Sequence, residues 1–300
     1  MSFSTDSKLE ILYAERKDCC KEAFLYGFLL FSKKFSAKRI EISSKTPEII
    51  DYCIGQLTDL GVPANTIQVA TKSTSQSIVI SDSTQADRIF NDFSHFETEP
   101  YLTIKRENFK CPECVNSFCA GVFTAAGTLA DPGKEYNLEI VSNRMHLTHQ
   151  FVDLVSEYNF GFNIRTRGNK YVAYIKNSDL IVDFLTFIGS NNSSIDIINL
   201  KIYKDIRNNT NRRVNFESAN IDKTVNAAQE DIEAITYLID NKYMDLLSED
   251  LREVARLRMD NPELSLSELG QLTSRTLSKS GISHRLRKIR DTASDMKKGD

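Results

Sequence analysis

The strongest constraint on this chain is that its first 190 residues are written twice. The stretch Ala23-Phe24-Leu25-Tyr26-Gly27-Phe28-Leu29-Leu30 returns as Phe118-Cys119-Ala120-Gly121-Val122-Phe123-Thr124-Ala125-Ala126-Gly127, with Gly27 on Gly121 at a shift of 94 residues. A period this long is a duplicated domain, because solenoid repeats recur every ~20–50 residues. The elements downstream of the two stretches also match. After the first come a strand at 39–42, a helix at 47–60, strands at 67–70 and 77–80 and a helix at 85–93. After the second come a strand at 136–140, a helix at 145–158, strands at 162–166 and 170–175 and a helix at 178–188. The strands alternate apolar and polar residues, as half-buried strands do, and Arg167-Gly168-Asn169 reads as a hairpin turn. Each half is therefore a mixed α+β unit led by a helix. Glycine inside a helix costs roughly 1 kcal/mol relative to alanine. Small residues at Ala23, Gly27, Ala120, Gly121 and Ala125 point to two front helices in close contact at a pseudo-twofold axis. A buried helix that merely tolerates glycine is the simpler alternative.

A chain of 300 residues with 41% hydrophobic content has room for two cored domains. No run approaches the ~20 apolar residues that span a bilayer. Residues 1–16 lack a signal-peptide core, so the expected location is the cytoplasm, associated with the nucleoid. In that compartment the six cysteines, Cys19, Cys20, Cys53, Cys111, Cys114 and Cys119, default to reduced thiols. Cys111-Pro-Glu-Cys114 has the spacing of a zinc knuckle or redox pair, but no second CxxC accompanies it, and His146 and His149 sit at no zinc-site spacing. It reads as a loop before a helix, with Cys119 in a core. No metal and no cofactor are expected. Arg207-Asn208-Asn209-Thr210-Asn211-Arg212-Arg213 has no apolar residue and reads as a loop or linker. A helix comes next over 221–240, with Val225, Ala228, Ile232, Ile235 and Ile239 at helical spacing.

Net charge is −3, yet residues 251–300 hold eleven Lys/Arg against seven Asp/Glu. Such asymmetry suits an anionic partner at the basic end. Ser248 starts a helix with acids in its first turn, and Leu251, Val254, Ala255, Leu257 and Arg258 continue it at helical spacing until Asn261-Pro262 stops it. Ser265 and Glu268 form a capping box for a second helix, whose apolar face is Leu266, Leu269 and Leu272. After a turn at 273–277, Ser278 caps a third helix that turns Ile282, Leu286 and Ile289 inward. Its other face is Lys279, Ser280, Ser283, His284, Arg285, Arg287, Lys288 and Arg290. From Arg275 to Arg290 there are six Lys/Arg and no acid. Lys and Arg neutralise phosphates, and Arg, Lys, Ser and His near the start of a recognition helix reach base edges in a major groove. This is a helix-turn-helix pattern. The bland alternative is a small bundle with a solvated basic face.

Several of these segments resemble one family. Residues 276–289, residues 211–217 with 220–225, and residues 118–131 with 136–140 are similar to signatures of the WhiA family of bacterial transcription regulators, and the resemblance runs through the whole chain. It implies an α+β fold: a LAGLIDADG homing-endonuclease-like domain over 1–190, with αββαββα halves at about 18–94 and 113–190. A linker and long helix over 191–247 would lead to an all-α helix-turn-helix over 248–300, similar to a sigma-factor promoter-reading domain. It also implies roles in transcriptional control of cell division or sporulation and in chromosome segregation. The DNA-contacting set is then expected to be Arg275, Lys279, Ser280, Ser283, His284, Arg285, Arg287 and Lys288, with Arg212 and Arg213 as basic linker residues. The expected partner is double-stranded promoter DNA, with other transcription or cell-division proteins, and no membrane or small-molecule substrate.

LAGLIDADG nucleases place an acid near the end of each front helix, and the two acids hold divalent metal for phosphodiester cleavage. Those positions here are Ser32 and Ala126. Asp18 and Asp131 lie outside the motif. Glu139 is the nearest strand acid, with no symmetric mate assigned. The expectation is a retained fold without catalysis. The first domain carries Lys38, Arg39, Arg165, Arg167 and Lys170 on its strands, as a DNA-gripping sheet would, but is net acidic, which works against a duplex, so DNA binding by this domain stays open beside a protein- or ligand-binding role. The competing reading is an interaction protein that serves division or segregation without acting on transcription.

Overall fold

The computed structural model describes residues 2–72 and 74–299. The chain divides into two compact units, Met1–Tyr203 and Lys204–Asp300. Among the described residues no helix is long and apolar enough to cross a membrane.

The first unit opens with α1 (Phe3–Tyr13), a helix that no sequence pattern had marked. Then come α2 (Asp18–Leu30), β1 (Lys34–Ser36), β2 (Arg39–Ser44), α3 (Pro47–Asp59), β3 (Ile67–Lys72), β4 (Ser75–Ile80) and α4 (Ser83–Asp92). The order repeats as α5 (Cys114–Ala126), β5 (Gly127–Leu129), β6 (Leu138–Ser142), α6 (Met145–Ser156), β7 (Asn163–Arg167), β8 (Lys170–Ile175) and α7 (Ser178–Phe187). Each half is thus αββαββα. The short strands β1 and β5 escaped the residue pattern, because three residues are too few to display alternation. The two antiparallel sheets have the same topology, β1-β2-β4-β3 and β5-β6-β8-β7.

Helices α2 and α5 form the junction between the halves. A Cβ on Gly27 would lie 2.2 Å from the Phe118 carbonyl oxygen, and one on Gly121 would lie 2.0 Å from that of Phe24. No side chain fits at either position, which explains why a helix accepts the conformational cost of glycine there. The contacts are symmetric, as a duplication requires. Around them pack Phe24, Phe28, Phe118, Phe123, Phe151 and Phe184, all buried. Cys53 and Cys119 are fully buried in this core, and burial pushes both thiols upward in pKa.

Helix α8 (Asn191–Asp240) is continuous over 50 residues. The loop expected over 207–213 is therefore helix. The stretch holds no Gly and no Pro, and Asn and Thr lower helix propensity without breaking a helix that is anchored at both ends. Its start is capped from α1: the Glu10 carboxylate accepts the backbone N–H of Asn192 at 2.6 Å and of Ser193 at 3.2 Å. Negative charge at a helix N-terminus satisfies free donors and opposes the dipole.

The second unit adds α9 (Glu249–Asp260), α10 (Leu266–Leu272) and α11 (Lys279–Gly299). They close with α8 on a separate core of Ile235, Leu238, Val254, Ala255, Leu269, Ile282, Leu286 and Ile289. The third helix is longer than a short bundle helix, and Leu272 is 51% exposed, not part of the apolar face of α10.

Candidate nucleic-acid interface

The turn between α10 and α11 is built by backbone contact. A Cβ on Gly270 would lie 2.2 Å from the Leu277 carbonyl oxygen, and the Leu277 N–H donates to the Gly270 carbonyl at 2.9 Å. Thr273 Oγ1 donates to the Gly270 and Arg275 carbonyls at 2.8 and 2.9 Å. Both helices are capped at their N-terminal ends. The capping box between Ser265 and Glu268 is present, and Ser278 Oγ accepts the Gly281 N–H at 3.2 Å. Ser248 is the N-cap residue of α9, but its hydroxyl donates to Asp250 and accepts no helix N–H.

Below the turn lies a buried ion cluster. Asp231 of α8 pairs with Arg290 of α11 and lies 3.9 Å from Arg258 Nε of α9. Arg258, only 2% exposed, also donates to the Leu264 carbonyl at 2.8 Å. One carboxylate thus ties three helices of this unit. Helical spacing had put Arg258 in line with the apolar residues of α9, but it gave no sign of the acid that meets it there.

With Ile282, Leu286 and Ile289 buried, helical geometry turns Ser280, His284, Arg287 and Lys288 to solvent, and all four are exposed. Among the described residues Arg287, Lys288, Lys279 and Arg275 enter no ion pair. Lys279 and Ser283 instead flank a groove of about 520 Å³ shared with Asn220, Lys223, Thr224 and Ser265. Arg285 lies on the other flank, toward α9. Its Nε donates to Asp250 at 3.1 Å and its Nη1 to the Gly281 carbonyl at 3.3 Å. The Ser248 hydroxyl and Arg285 hold the Asp250 carboxyl below the usual range. Arg212 and Arg213 are exposed on α8, with Arg213 3.6 Å from Glu217.

In the first unit Ala126 is the last residue of α5, and Ser32 lies just past the C-cap of α2. The Ser32 hydroxyl is spent on the Leu29 carbonyl at 2.6 Å. Arg144 donates to the Leu30 and Ser32 carbonyls at 2.9 and 3.4 Å, placing a cation at the C-terminal end of α2. Glu139 proves to have a counterpart. Glu41 holds the equivalent register on β2, opposite Lys34 as Glu139 is opposite Thr128. Both carboxylates are committed: Glu41 pairs with Lys33 and Arg39, and Glu139 with Arg165 and Arg167. Burial alone would raise the Glu139 carboxyl, but the Asn137 amide and the two guanidinium groups hold it below its ordinary value. Arg165 also stacks on Tyr174. Each of these two carboxylates is thus flanked by two cations. Lys38, in the β1–β2 turn, pairs with Glu97 at 2.5 Å.

One grouping was not foreseen. Cys19 and Cys20 in the first turn of α2 meet Cys111 and Cys114 at the start of α5, with all four sulfurs within 4.8 Å of one another. The partner of Cys111-Pro-Glu-Cys114 is not a second CxxC. The adjacent pair Cys19-Cys20 is the mate, and the shift of 94 residues that places Gly27 on Gly121 also places Cys20 on Cys114.

Comparison with known proteins agrees with this two-part organisation. Residues 115–207 match the family described as WhiA LAGLIDADG-like domain, and residues 210–293 match WhiA C-terminal HTH domain. A "Probable cell division protein WhiA" of Ruminiclostridium cellulolyticum is 34% identical over 314 residues, covering 100% of this chain and 99% of the relative. The protein of the same name from Thermoanaerobacter sp. is 30% identical over 315 residues, covering 99% and 98%. The crystal structure titled "full-length DUF199/WhiA from Thermatoga maritima" superposes with a TM-score of 0.62 at 25% identity, over 98% of this chain and 99% of that one. The duplicated αββαββα unit, the helix-turn-helix and these full-length relatives lead to one conclusion: this chain belongs to the WhiA family.

Proposed function

We propose that the chain is a sequence-specific regulator of transcription that reads promoter duplexes with the exposed face of α11 and serves cell division, chromosome segregation or sporulation. The observation that carries this reading is the set Ser280, His284, Arg287 and Lys288, exposed opposite the buried Ile282, Leu286 and Ile289, with its cations free of internal ion pairs among the described residues. Lys279, Ser283 and Arg275 border that face and suit phosphate contact, as do Arg212 and Arg213 on α8. Arg285 serves two ends: it orders α11 against Asp250 and keeps a partly exposed guanidinium on the flank that faces α9.

The test is binding of the full chain to promoter duplexes from its own genome across a range of salt. The logarithm of affinity should fall with the logarithm of salt concentration. Arg287→Ala should cost about 1–3 kcal/mol if it reads a base, while Arg212→Ala should lower the salt slope by about one. Salt-independent binding, or undiminished binding by Arg287→Ala/Lys288→Ala, would overturn the reading.

In this proposal the endonuclease-like unit cuts nothing. Ser32 and Ala126 offer no carboxylate to a divalent ion, and Glu41 and Glu139 are neutralised by neighbouring cations. Clean protein with Mg²⁺ or Mn²⁺ should leave supercoiled plasmid intact, and metal-dependent nicking would refute this part. The cell-division name of the relatives favours a second reading, in which the protein acts on division machinery without transcription. A chain lacking α9–α11 that still supports normal division would select it.

A further inference from the structure

We propose that Cys19, Cys20, Cys111 and Cys114 hold one zinc ion as a tetrahedral tetrathiolate, stapling the two repeats at the N-terminal ends of their front helices. The distances fit a single small ion. Zinc–sulfur bonds near 2.3 Å give a tetrahedron with edges of about 3.8 Å. Cys111 Sγ lies 3.5 Å from Cys114, 3.6 Å from Cys20 and 3.7 Å from Cys19. A disulfide needs sulfurs at about 2.05 Å, and all four thiols are free. A polynuclear iron–sulfur cluster attaches its cysteines to different irons and spreads them farther apart than this. Tetrahedral coordination by four sulfurs is a zinc-type environment.

The surroundings suit the charge. Binding replaces four thiol protons by one Zn²⁺, releasing four H⁺ and leaving a complex of net charge −2. Cys19 and Cys20 lie in the first turn of α2, and Cys114 is the first residue of α5, so two helix N-termini bring positive potential to the sulfurs. Lys17 and Lys110 stand close to the cysteines in the chain, and each also pairs with a carboxylate, Glu113 and Glu22. Cys20 and Cys114 are buried against Ala23 and Phe109, while Cys19 and Cys111 keep access to solvent, which gives an ion a way in.

The duplication makes the assignment more pointed. At the shift of 94 residues Cys20 corresponds to Cys114, but Lys17 corresponds to Cys111 and Cys19 to Glu113. Only one ligand pair obeys the pseudo-twofold. The other two cysteines occupy positions where the opposite repeat has charged residues, and those residues, Lys17 and Glu113, pair with each other at 3.2 Å. Cys53 and Cys119, by contrast, sit alone in the apolar core. A link between Cys20 and Cys111 closes a loop spanning 91 residues, so metal held there restricts the unfolded chain strongly.

The full chain, purified with reductant and without chelator, is assayed for metal by mass spectrometry. About one zinc per chain is expected. Cobalt added to stripped protein should give the thiolate charge-transfer band and the visible bands of tetrahedral cobalt. Cys20→Ser and Cys114→Ser should lose both signals, and Cys53→Ala should keep them. Because a serine variant can fail to fold, the unmodified chain is also melted with and without chelator, and the zinc-loaded form should unfold at higher temperature. Absence of stoichiometric zinc together with a silent cobalt titration would overturn the proposal. So would stoichiometric iron in place of zinc, or a Cys111–Cys114 disulfide recovered from protein isolated without reductant.

Discussion

At the scale of single residues, two glycines in the same unit make opposite predictions. Gly121 has its hypothetical Cβ 2.0 Å from a backbone oxygen that cannot move aside, whereas Gly55, inside α3, has nothing within 4 Å. Gly121→Ala should destabilise the chain by about 3 kcal/mol or more through overpacking. Gly55→Ala should stabilise it by about 0.5–1 kcal/mol through helix propensity. Denaturant midpoints of the two variants read both, and a tolerated Gly121→Ala would mean that the front helices do not meet backbone to backbone. His95 supplies the pH term. It is buried, within 3.3 Å of both the Tyr26 hydroxyl and the Glu99 carboxylate, and burial lowers its pKa from the usual 6.5 despite Glu99. The folded state therefore resists protonation that the unfolded chain accepts. Stability from this group is complete above pH 6.5 and is lost as pH falls toward the lowered folded value. Glu99 is held down by Lys105 and His95 against the opposing effect of burial, so its contribution disappears at more acidic pH, below 4.5. His95→Gln should flatten the loss just below pH 6.5 in unfolding experiments and leave the carboxylate-range loss in place.

At the scale of elements, α8 separates what the sequence reveals from what it conceals. The capping box at Ser265, the inward triad of α11 and the glycine-marked front helices were legible because each depends on contacts within a few residues or on a repeat. The stretch over 207–213 was not. Its Asn and Thr signal a break only when nothing else enforces a helix, and here Glu10 caps one end while Ala228, Ile235 and Leu238 are buried at the other. The cysteine cluster was hidden for a similar reason: its partners lie 91 to 95 residues apart and meet only because α2 packs on α5. The pairing of Glu41 with its cations needed the sheet register. Asn209→Pro tests the helix directly. In a continuous helix it should cost about 3 kcal/mol and lower the far-ultraviolet helical signal. In a loop it would be nearly neutral, and that result would restore the linker reading.

At the scale of the whole molecule, each unit has its own core, and each has its own stabilising device. In the second unit the device is Asp231 between Arg258 and Arg290; in the first it is the packed helix pair with the cysteine cluster at its end. A buried ion pair adds little net stability, but removing one partner strands the other at a cost of about 3–5 kcal/mol. Asp231→Ala leaves Arg258 buried at 2% exposure with backbone carbonyls as its remaining partners. Chains with separate cores need not unfold in one step, and a change confined to one core moves only that core's transition. Calorimetry should therefore resolve two transitions. Asp231→Ala should lower the one belonging to the second unit and weaken DNA binding, with the other unchanged. Chelator in the presence of reductant should lower the first unit's transition alone and leave salt-dependent DNA binding intact. A single transition that both treatments shift together would show instead that the two cores unfold as one cooperative body, with Asp231 and the cysteines acting on the stability of the whole chain.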